Sequence, residues 1–346
     1  MTTAHERRSL DQILGRVECP ACHAPLAVVE VGEVGPFVVR VRCASADAHE
    51  FPVVAGIPVL LTDDASFRAA DVAGAADTTY FARRVRESRL KARLRKALPS
   101  PGLELGVAPL DQLVSRSLPP GRSPWAGLMI GAGTHAEDVR GRIPGVDWLV
   151  TDIDTAFGAD VVADVLSLPV PDASIDLVVV EHVLEHVVDP IAAGREIERV
   201  LRIDGLVLAK VPFTFPWHGG YVDFFRCTPA GLRALFARTD VLHIAPSMGP
   251  ASAVVYACQA LLSVPAHRRG SKVAALVAGR VALAPFKHID RALISRPDSA
   301  VAAGAIAYLG RRTTTQRTAA ELVSDARAIG RGDLGRPKPA TSPPPT

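Results

Sequence analysis

The sequence predicts an α/β fold in which a doubly wound, mainly parallel sheet follows a small β-rich unit. Between residues 127 and 240, short apolar runs alternate with helical patterns, which is typical of parallel strands covered by helices on both faces. A Cys-x-x-Cys pair and two Val-rich runs near the start indicate the β-rich unit. The chain has 346 residues, enough for about two domains of about 100–200 residues each.

The amino-acid composition argues against several classes of protein function. The chain is 48% hydrophobic and 22% charged, as in ordinary globular proteins. A net charge of only +3 and an aromatic content of 5% argue against a nucleic-acid partner. Five unevenly spaced cysteines do not form a disulfide framework. The N-terminus shows no secretory leader and no apolar run reaches 18 residues, so we expect a cytoplasmic protein.

Residues 1–62 are predicted to form the β-rich unit. Its first strands are expected at 26–31 and 37–42, and a third apolar run closes it. Residues 63–105 follow as a linker with a basic helix at 78–98. The charges of this helix run nearly all round it, which favours a solvated connector over a surface for a membrane or another anionic partner.

Residues 106–312 are predicted to form the parallel sheet and its helices. Strands are predicted at 127–130, 147–152, 176–181 and 206–211, and the run at 176–181 is continuously apolar between its end residues, as a strand buried on both faces should be. Asp189 and Pro190 are the expected cap and first residue of a helix.

A helical insertion at 251–290 is expected before the last strand, at 302–309. Its apolar residues suit a lipid-like substrate pocket, a membrane contact, or a core or dimer surface. Residues 313–346 are predicted to be a flexible tail that ends in a Pro-rich stretch.

The ends of the first two strands carry the residue types of a ligand site. Gly131-Ala-Gly133 follows the first strand, where glycines allow a tight turn and a close approach to a ligand. Asp152 ends the next strand, 19 residues after Gly133, at the spacing of an acid that binds ribose hydroxyls. Ligands of such sheets lie beyond the carboxyl ends of the strands. These residues also fit a nicotinamide-dinucleotide site.

Further segments make the pattern more specific. In order along the chain they are Ala163-Asp164, Leu168-Pro169, Asp172-Ala-Ser-Ile-Asp176, Leu184-Glu-His186, Glu196-Ile-Glu-Arg-Val-Leu201 and Asp204-Gly205. Together with the glycine turn and Asp152, they resemble class I S-adenosylmethionine-dependent methyltransferases of the ubiquinone-biosynthesis-like type 11 group. The resemblance implies a Rossmann-like sheet and favours S-adenosylmethionine over a nicotinamide cofactor.

The resemblance also implies roles for single residues. The glycine turn would approach the methionine part of the cofactor, through Gly131 and Gly133. Other strand ends would bind the ribose and adenine, with Asp152 on the ribose, Ile153 on the ring, and Asp164 and Val165 on the adenine amino group. Glu181 and His182 would face the methionine end and the substrate.

Two positions depart from the family pattern. His135 stands where a third glycine is usual, and Met129 stands where the family often has an acid that orients the ammonium group. These departures motivate an alternative hypothesis, a degenerate methyltransferase fold that serves as a binding or scaffold protein.

The segment His182-Val-Leu-Glu-His186 allows two interpretations. It matches the HxxEH pattern of inverted zinc peptidases, whose two histidines lie one helical turn apart. In the parallel sheet, however, it follows a strand, and Glu185 and His186 would then orient the loop. The sheet context favours the second interpretation.

His218 lies in the segment that follows the predicted strand at 206–211. An imidazole near the transferred methyl group can take a proton from a hydroxyl or amine acceptor, so His218 is the first candidate for a catalytic base, beside His182 and His186. The alternative is a structural lid in which His218, Asp223 and Arg226 are hydrogen-bonded.

The N-terminal unit carries a candidate metal site in Cys19, Cys22, Cys43 and His49. A CxxC pair, two strands and a later Cys/His pair are typical of a zinc ribbon. The segment also resembles the Trm112-like module, in which the second pair is usually two cysteines. The fourth ligand is therefore His49, Asp47 or His23. Four closed ligands would make a bound zinc structural.

The sequence thus predicts a methyltransferase that uses S-adenosylmethionine, with a zinc-ribbon-like module whose ligands suit a structural zinc ion; whether zinc is bound is left open. The expected acceptor is a small molecule or a glycan- or lipid-type compound, methylated on oxygen, nitrogen or carbon. No nucleic-acid partner is expected, contact with a membrane or another anionic partner is considered, and the oligomeric state is left open.

Overall fold

A computed structural model describes residues 8–30, 39–66, 98–105, 107–131, 136–155, 158–218, 222–265 and 269–333. The predicted basic helix, apart from its last residue, lies outside the described residues. So do Gly133 and His135 of the glycine turn, and the Pro-rich end of the predicted tail.

Eleven strands lie within the described residues. They are β1 (Leu26–Glu30), β2 (Val39–Cys43), β3 (Glu50–Val54), β4 (Ile57–Leu60), β5 (Trp125–Ile130), β6 (Val146–Asp152), β7 (Val161–Ala163), β8 (Ile175–Glu181), β9 (Leu201–Pro212), β10 (Thr239–Met248) and β11 (Ala305–Arg312).

The helices of the described part cover the sheet and form the insertion. They are α1 (Leu10–Leu14), α2 (Val107–Ser117), α3 (Ala136–Arg142), α4 (Pro190–Val200), α5 (Pro229–Leu235), α6 (Pro250–Ser263), α7 (Arg269–Leu283), α8 (Asp290–Leu293) and α9 (Ala319–Arg331). Three 3₁₀ segments accompany them at Leu184–His186, Ala284–Ile289 and Pro297–Ala302. None of the described helices is long and apolar enough to cross a membrane.

The strands form one sheet in the order β1-β2-β3-β4-β7-β6-β5-β8-β9-β11-β10. Pairing is parallel from β4 to β9, and it is antiparallel at both outer parts of the sheet. The predicted doubly wound, mainly parallel sheet is therefore confirmed. The parallel strands β5, β6 and β8 end together, so the candidate residues that follow them lie at one edge.

The N-terminal unit is continuous with this sheet. Strand β4 pairs in parallel with β7, with Val59 opposite Val162 and Leu60 opposite Ala163. All four residues of β4 are buried, as expected for a strand covered on both faces. The sequence predicted a unit of its own at residues 1–62, whereas backbone pairing makes its last strand part of the central sheet.

Both faces of the sheet are buried. Along β8, Val178 and Val180 pack into one hydrophobic cluster, and Leu177 and Val179 pack into the cluster on the opposite face. Successive side chains of a strand point to opposite faces, so an unbroken apolar run fits a doubly covered strand.

Side chains cap the starts of two helices, the first at the predicted residue Asp189. The Asp189 side chain accepts a hydrogen bond from the backbone N–H of Ala192 at 2.9 Å, and Pro190 is the first residue of α4. The Thr228 hydroxyl likewise accepts from the N–H of Gly231 at 3.0 Å, at the start of α5. These caps satisfy N–H groups that have no partner within the helix.

Two stretches near the C-terminus differ from their predictions. The predicted flexible tail contains α9, which starts with a capping box between Thr318 and Glu321 and is held by an ion pair from Arg233 to Asp325 at 2.9 Å. The sequence signal for this helix is the Thr-x-x-Glu capping pattern, which the prediction of a tail did not use. The last strand begins at Ala305 rather than Ala302, because a 3₁₀ segment precedes it. The insertion is helical, as predicted.

Candidate functional site

The glycine turn after β5 leaves no room for a side chain at Gly131. This residue has φ +63°, and a Cβ there would lie 2.2 Å from Cγ2 of Val183. Its N–H donates to the carbonyl of Thr151 on the neighbouring strand at 2.8 Å. The turn therefore brings backbone close to the ends of β6 and β8, as the glycine pattern predicted.

Asp152 is 6% exposed at the end of β6. One of its carboxylate oxygens accepts the backbone N–H of Asp154 at 3.2 Å, which fixes the carboxylate at the strand end. Ile153, the residue predicted to contact the adenine, is half-buried beside it.

Asp164 is also buried, and the chain itself uses both of its oxygens. They accept the backbone N–H groups of Leu166 at 2.9 Å and of Ser66 at 2.8 Å. Val165, beside it, is buried. The contact from Ser66 places the start of the predicted linker, just after the N-terminal unit, next to the predicted adenine position. Sequence spacing gave no signal for it, because 98 residues separate the two partners.

Glu181, at the end of β8, belongs to a network of ion pairs. Its carboxylate contacts Nζ of Lys210 at 2.9 Å and Nη2 of Arg142 at 3.3 Å, and the Lys210 side chain is only 1% exposed. Burial raises the pKa of Glu181, but the two cations lower it further, so the net shift is downward. A lysine inside the apolar run 206–211 was the one signal for this network, and sequence reasoning missed it.

The HxxEH segment does not form one α-helix. His182 has φ +56°, and only Leu184–His186 makes a single 3₁₀ turn. The two histidines therefore lack the one-turn spacing on a common helix that the peptidase hypothesis requires. Nδ1 of His182 and Nε2 of His186 each lie 3.7 Å from Oε1 of Glu185.

His218 is held over this segment by its own loop. Its backbone N–H donates to Asp223 at 3.1 Å, and Arg226 donates to the same carboxylate and to the carbonyls of Phe215 and Pro216. Burial lowers the pKa of His218, and the neighbouring His186 adds to this. Arg226 holds the pKa of Asp223 at about 2. The hydrogen bonds expected among His218, Asp223 and Arg226 are thus present.

The loops after β8 and β9 bring three side chains together. One ligand atom from each of Glu185, His186 and His218 lies within 4.8 Å of the other two. The imidazole centroids of His186 and His218 are 5.2 Å apart in an edge-to-face arrangement. Sequence reasoning named the two histidines separately, but it could not place them together because they come from different loops.

The second cluster lies in the N-terminal unit. Ligand atoms of Cys19, Cys22, Cys43 and His49 all lie within 4.8 Å of one another. The sulfurs of Cys22 and Cys43 are 3.7 Å apart, and Nδ1 of His49 is 3.5 Å from the sulfur of Cys43. Four ligands arranged tetrahedrally at about 2.3 Å from zinc would be about 3.8 Å apart.

The environment of the cysteines differs within this cluster. Burial raises the pKa of Cys19 to about 11. For Cys43 burial acts in the same direction, but hydrogen bonds from Ser45 and His49 lower its pKa to about 6. His23, an alternative fourth ligand, instead contacts Glu18 at 2.6 Å.

Residues 130–209 match the family profile described as a methyltransferase domain. The match covers less than a quarter of the chain and includes the ends of β5, β6, β7 and β8. It confirms the enzyme class that the sequence predicted, an S-adenosylmethionine-dependent methyltransferase. The chain has no match among curated protein sequences.

Several solved structures are similar in part. A putative sarcosine dimethylglycine methyltransferase from Galdieria sulphuraria shares 15% identity over 66% of this chain and 89% of its own, with TM-score 0.39. The complex of the Haloferax volcanii Trm112 methyltransferase activator and a putative methyltransferase shares 15% over 68% of this chain and 99% of the other, with TM-score 0.40. Geranyl diphosphate C-methyltransferase from Streptomyces coelicolor A3(2) shares 15% over 60% and 78%, with TM-score 0.38.

Proposed function

We propose that the chain binds S-adenosylmethionine at the common edge of β5, β6 and β8 and transfers its methyl group to a small-molecule or glycan- or lipid-type acceptor. The observation that carries the proposal is the position of Gly131 and Asp152 at the ends of two adjacent strands. A backbone turn without room for a side chain lies beside a buried carboxylate on the adjacent strand, inside the segment that matches a methyltransferase domain.

The residues present fit this cofactor. Asp152 offers a buried carboxylate for the two ribose hydroxyls, and Asp164 retains lone pairs for the adenine amino group beyond its two backbone bonds. Glu181 forms ion pairs with Lys210 and Arg142. Its role would be to neutralise these two buried cations, which would otherwise repel the positively charged sulfonium of the cofactor. Gly133 would extend the turn toward the methionine part, as the family pattern implies.

When bound, the cofactor supplies a methyl group on a positively charged sulfur, and that carbon–sulfur bond breaks as the bond to the acceptor forms. The chain must hold the acceptor in line and remove its proton. The side chains that we propose for this proton removal lie in the loops that follow β8 and β9. They are His182, Glu185, His186 and His218.

Calorimetric titration with S-adenosylmethionine tests this function. We expect binding by the wild type and at least about tenfold weaker binding by Asp152→Ala, because a bidentate, charge-assisted contact is worth about 1.5–3 kcal/mol. Asp240→Ala, at an exposed position of β10, is the matched control and should bind as wild type. Absence of wild-type binding at millimolar cofactor would instead support the scaffold hypothesis.

We also propose that the four N-terminal ligands, Cys19, Cys22, Cys43 and His49, bind a structural zinc ion. The supporting observation is the sulfur separation of 3.7 Å between Cys22 and Cys43, close to the spacing around tetrahedral zinc. Such an ion would fix the turn from which β2 and β3 extend.

For the helical insertion we propose contact with an anionic lipid surface. On α6 and its C-cap, the side chains of Val254, Leu261 and Val264 are 59%, 69% and 72% exposed, and their spacing places them on one helical face. On α7, Val277 and Val281 are also exposed. Apolar faces on two consecutive helices suit insertion at a membrane surface.

Charge distinguishes this occupant from a second copy of the chain. Residues 250–296 contain seven Lys or Arg and one Asp, a formal charge of +6, against +3 for the whole chain. Two copies meeting through this segment would bring like charges together, whereas anionic headgroups attract it.

Sedimentation with vesicles tests the contact. We expect binding to phosphatidylcholine vesicles that contain phosphatidylglycerol, and much weaker binding to pure phosphatidylcholine. Leu261→Glu should weaken binding severalfold, whereas Val323→Glu, at a 52% exposed valine of α9, should not. Equal losses in the two variants, or binding independent of lipid charge, would exclude this proposal.

A further inference from the structure

Glu185 is a buried carboxylate with one unpartnered oxygen. Its side chain is 2% exposed, and Oε2 has no hydrogen-bond partner among the described residues. Oε1 comes no closer than 3.7 Å to the imidazole nitrogens of His182 and His186. A buried charge without close partners is costly, and buried charges in proteins are paired or coordinate metal ions.

His186 is oriented as metal-binding histidines are. Its Nδ1–H donates to the backbone carbonyl of Val222 at 2.7 Å, so the neutral ring carries its lone pair on Nε2. That nitrogen is the one that lies toward Glu185. A ligating histidine almost always donates its other N–H to a carbonyl or carboxylate, which fixes the tautomer.

The backbone also ties the two loops together at this point. The carbonyl of Glu185 accepts the N–H groups of Phe224 at 2.8 Å and Phe225 at 3.2 Å. His218 belongs to the same loop, and the ion pair between Asp223 and Arg226 anchors it. Because Asp223 neutralises Arg226, the ionic contacts of Glu185 in this group are the 3.7 Å approaches of Oε1 to the two imidazoles, and Oε2 stays unpartnered.

We propose that Glu185, His186 and His218 bind a divalent transition-metal ion, of the Mn²⁺ or Zn²⁺ type, at the acceptor side of the methyl-transfer site. Two imidazoles and one carboxylate form a donor set that suits such ions and leaves coordination positions open. Ligand atoms at about 2.1 Å from an ion are at most about 4.2 Å apart. The observed separations, up to 4.8 Å, need only a small side-chain adjustment.

This inference rests on the proposed methyl transfer and gives the acceptor a chemical class, a hydroxyl compound. A hydroxyl bound at an open position of the ion loses its proton to water more readily, because the cation stabilises the oxyanion. The oxygen lone pair then forms the bond to the methyl carbon, and the electron pair of the broken carbon–sulfur bond stays on sulfur. In this arrangement His218 is a ligand rather than the base.

Counting bound metal tests the inference. The purified chain is dialysed against MnCl₂ at about 0.1 mM, and all divalent transition metals per chain are measured by mass spectrometry. We expect the wild type to hold one ion more than His186→Ala and one more than His218→Ala. Cys43→Ser should still show this additional ion, and His288→Ala, at an exposed histidine, should match the wild type.

Equal counts in the wild type and in both histidine variants would overturn the metal site. Calorimetry with S-adenosylmethionine on the same samples separates the two proposals. Cofactor binding with equal metal counts overturns the metal site alone, whereas the expected difference in counts without wild-type cofactor binding overturns the methyl-transfer function and keeps the metal site.

Discussion

Within the described residues, two clusters of side chains with metal-ligating groups differ in donor type and closure. In the N-terminal unit, three sulfurs and one imidazole surround a common centre and contact one another. In the loops after β8 and β9, one carboxylate and two imidazoles converge, and a carboxylate oxygen of Glu185 stays unpartnered. Three thiolates and one imidazole would close a structural site, whereas two imidazoles and one carboxylate would leave room for a substrate.

The two clusters also differ in how far hydrogen bonds support their ligand atoms. The sulfur of Cys43 contacts the Ser45 hydroxyl at 3.0 Å and the backbone N–H of His49 at 3.2 Å, so the first cluster supports itself. Glu185 is buried without such support for Oε2. The first cluster therefore suits a role in stability and the second a role in chemistry.

The largest expected effect belongs to the N-terminal cluster. Cys43→Ser should lose its zinc, with a drop of several kcal/mol in the free energy of unfolding of this unit, because structural zinc sites contribute about 10–16 kcal/mol of apparent binding free energy. Metal analysis and thermal unfolding measure the two quantities. Cys258→Ser, at a half-buried cysteine of α6, should keep its zinc. A Cys43→Ser protein that retained zinc would contradict the assignment of the N-terminal cluster as a structural zinc site.

A smaller effect is expected at the loop cluster. Mn²⁺ at about 100 times its dissociation constant should stabilise the wild type by about 2.7 kcal/mol. Glu185→Gln should lose most of this increment, since the amide no longer supplies a charged ligand. Glu137→Gln, on the exposed side of α3, should keep it. Thermal unfolding with and without Mn²⁺ measures the increment, and an unchanged increment in Glu185→Gln would remove the contrast between the clusters.

The smallest effect concerns the loop that holds His218. Arg226→Lys loses the two-pronged contact with Asp223 and the bonds to two carbonyls, so we expect a cost of about 1–3 kcal/mol in unfolding free energy. Arg317→Lys alters an exposed ion pair with Asp240 and should change stability by less than about 0.5 kcal/mol. Denaturant unfolding compares the two, and equal effects would show that the loop is not anchored in this way.

Much of the central sheet could be predicted from sequence, because its strands are continuous apolar runs that end in glycine or acid. The runs ending at Ile130 and Asp152 became β5 and β6, and the capping residue Asp189 precedes the predicted helix α4. These signals are local, so a single sequence carries them.

What escaped prediction depends on contacts between distant segments. In the sequence, Lys210 only interrupts an apolar run. In the fold it lies beside Glu181 and forms an ion pair with it. The bond from Ser66 to Asp164 and the convergence of Glu185 with His218 likewise need the tertiary structure. The helix α9 was missed for a different reason, since its capping box stands next to a stretch without a core-forming pattern.

The pairing of β4 with β7 has a consequence for solubility. While β4 is in place, β7 is covered on both sides, with β6 as its other neighbour. If metal loss unfolded the N-terminal unit, the backbone of the short, apolar β7 would become an open edge of the sheet. Such edges recruit strands from other chains, so zinc at the far end of the unit would protect the chain from self-association. Chelator-induced aggregation would then report on a site that takes no part in methyl transfer.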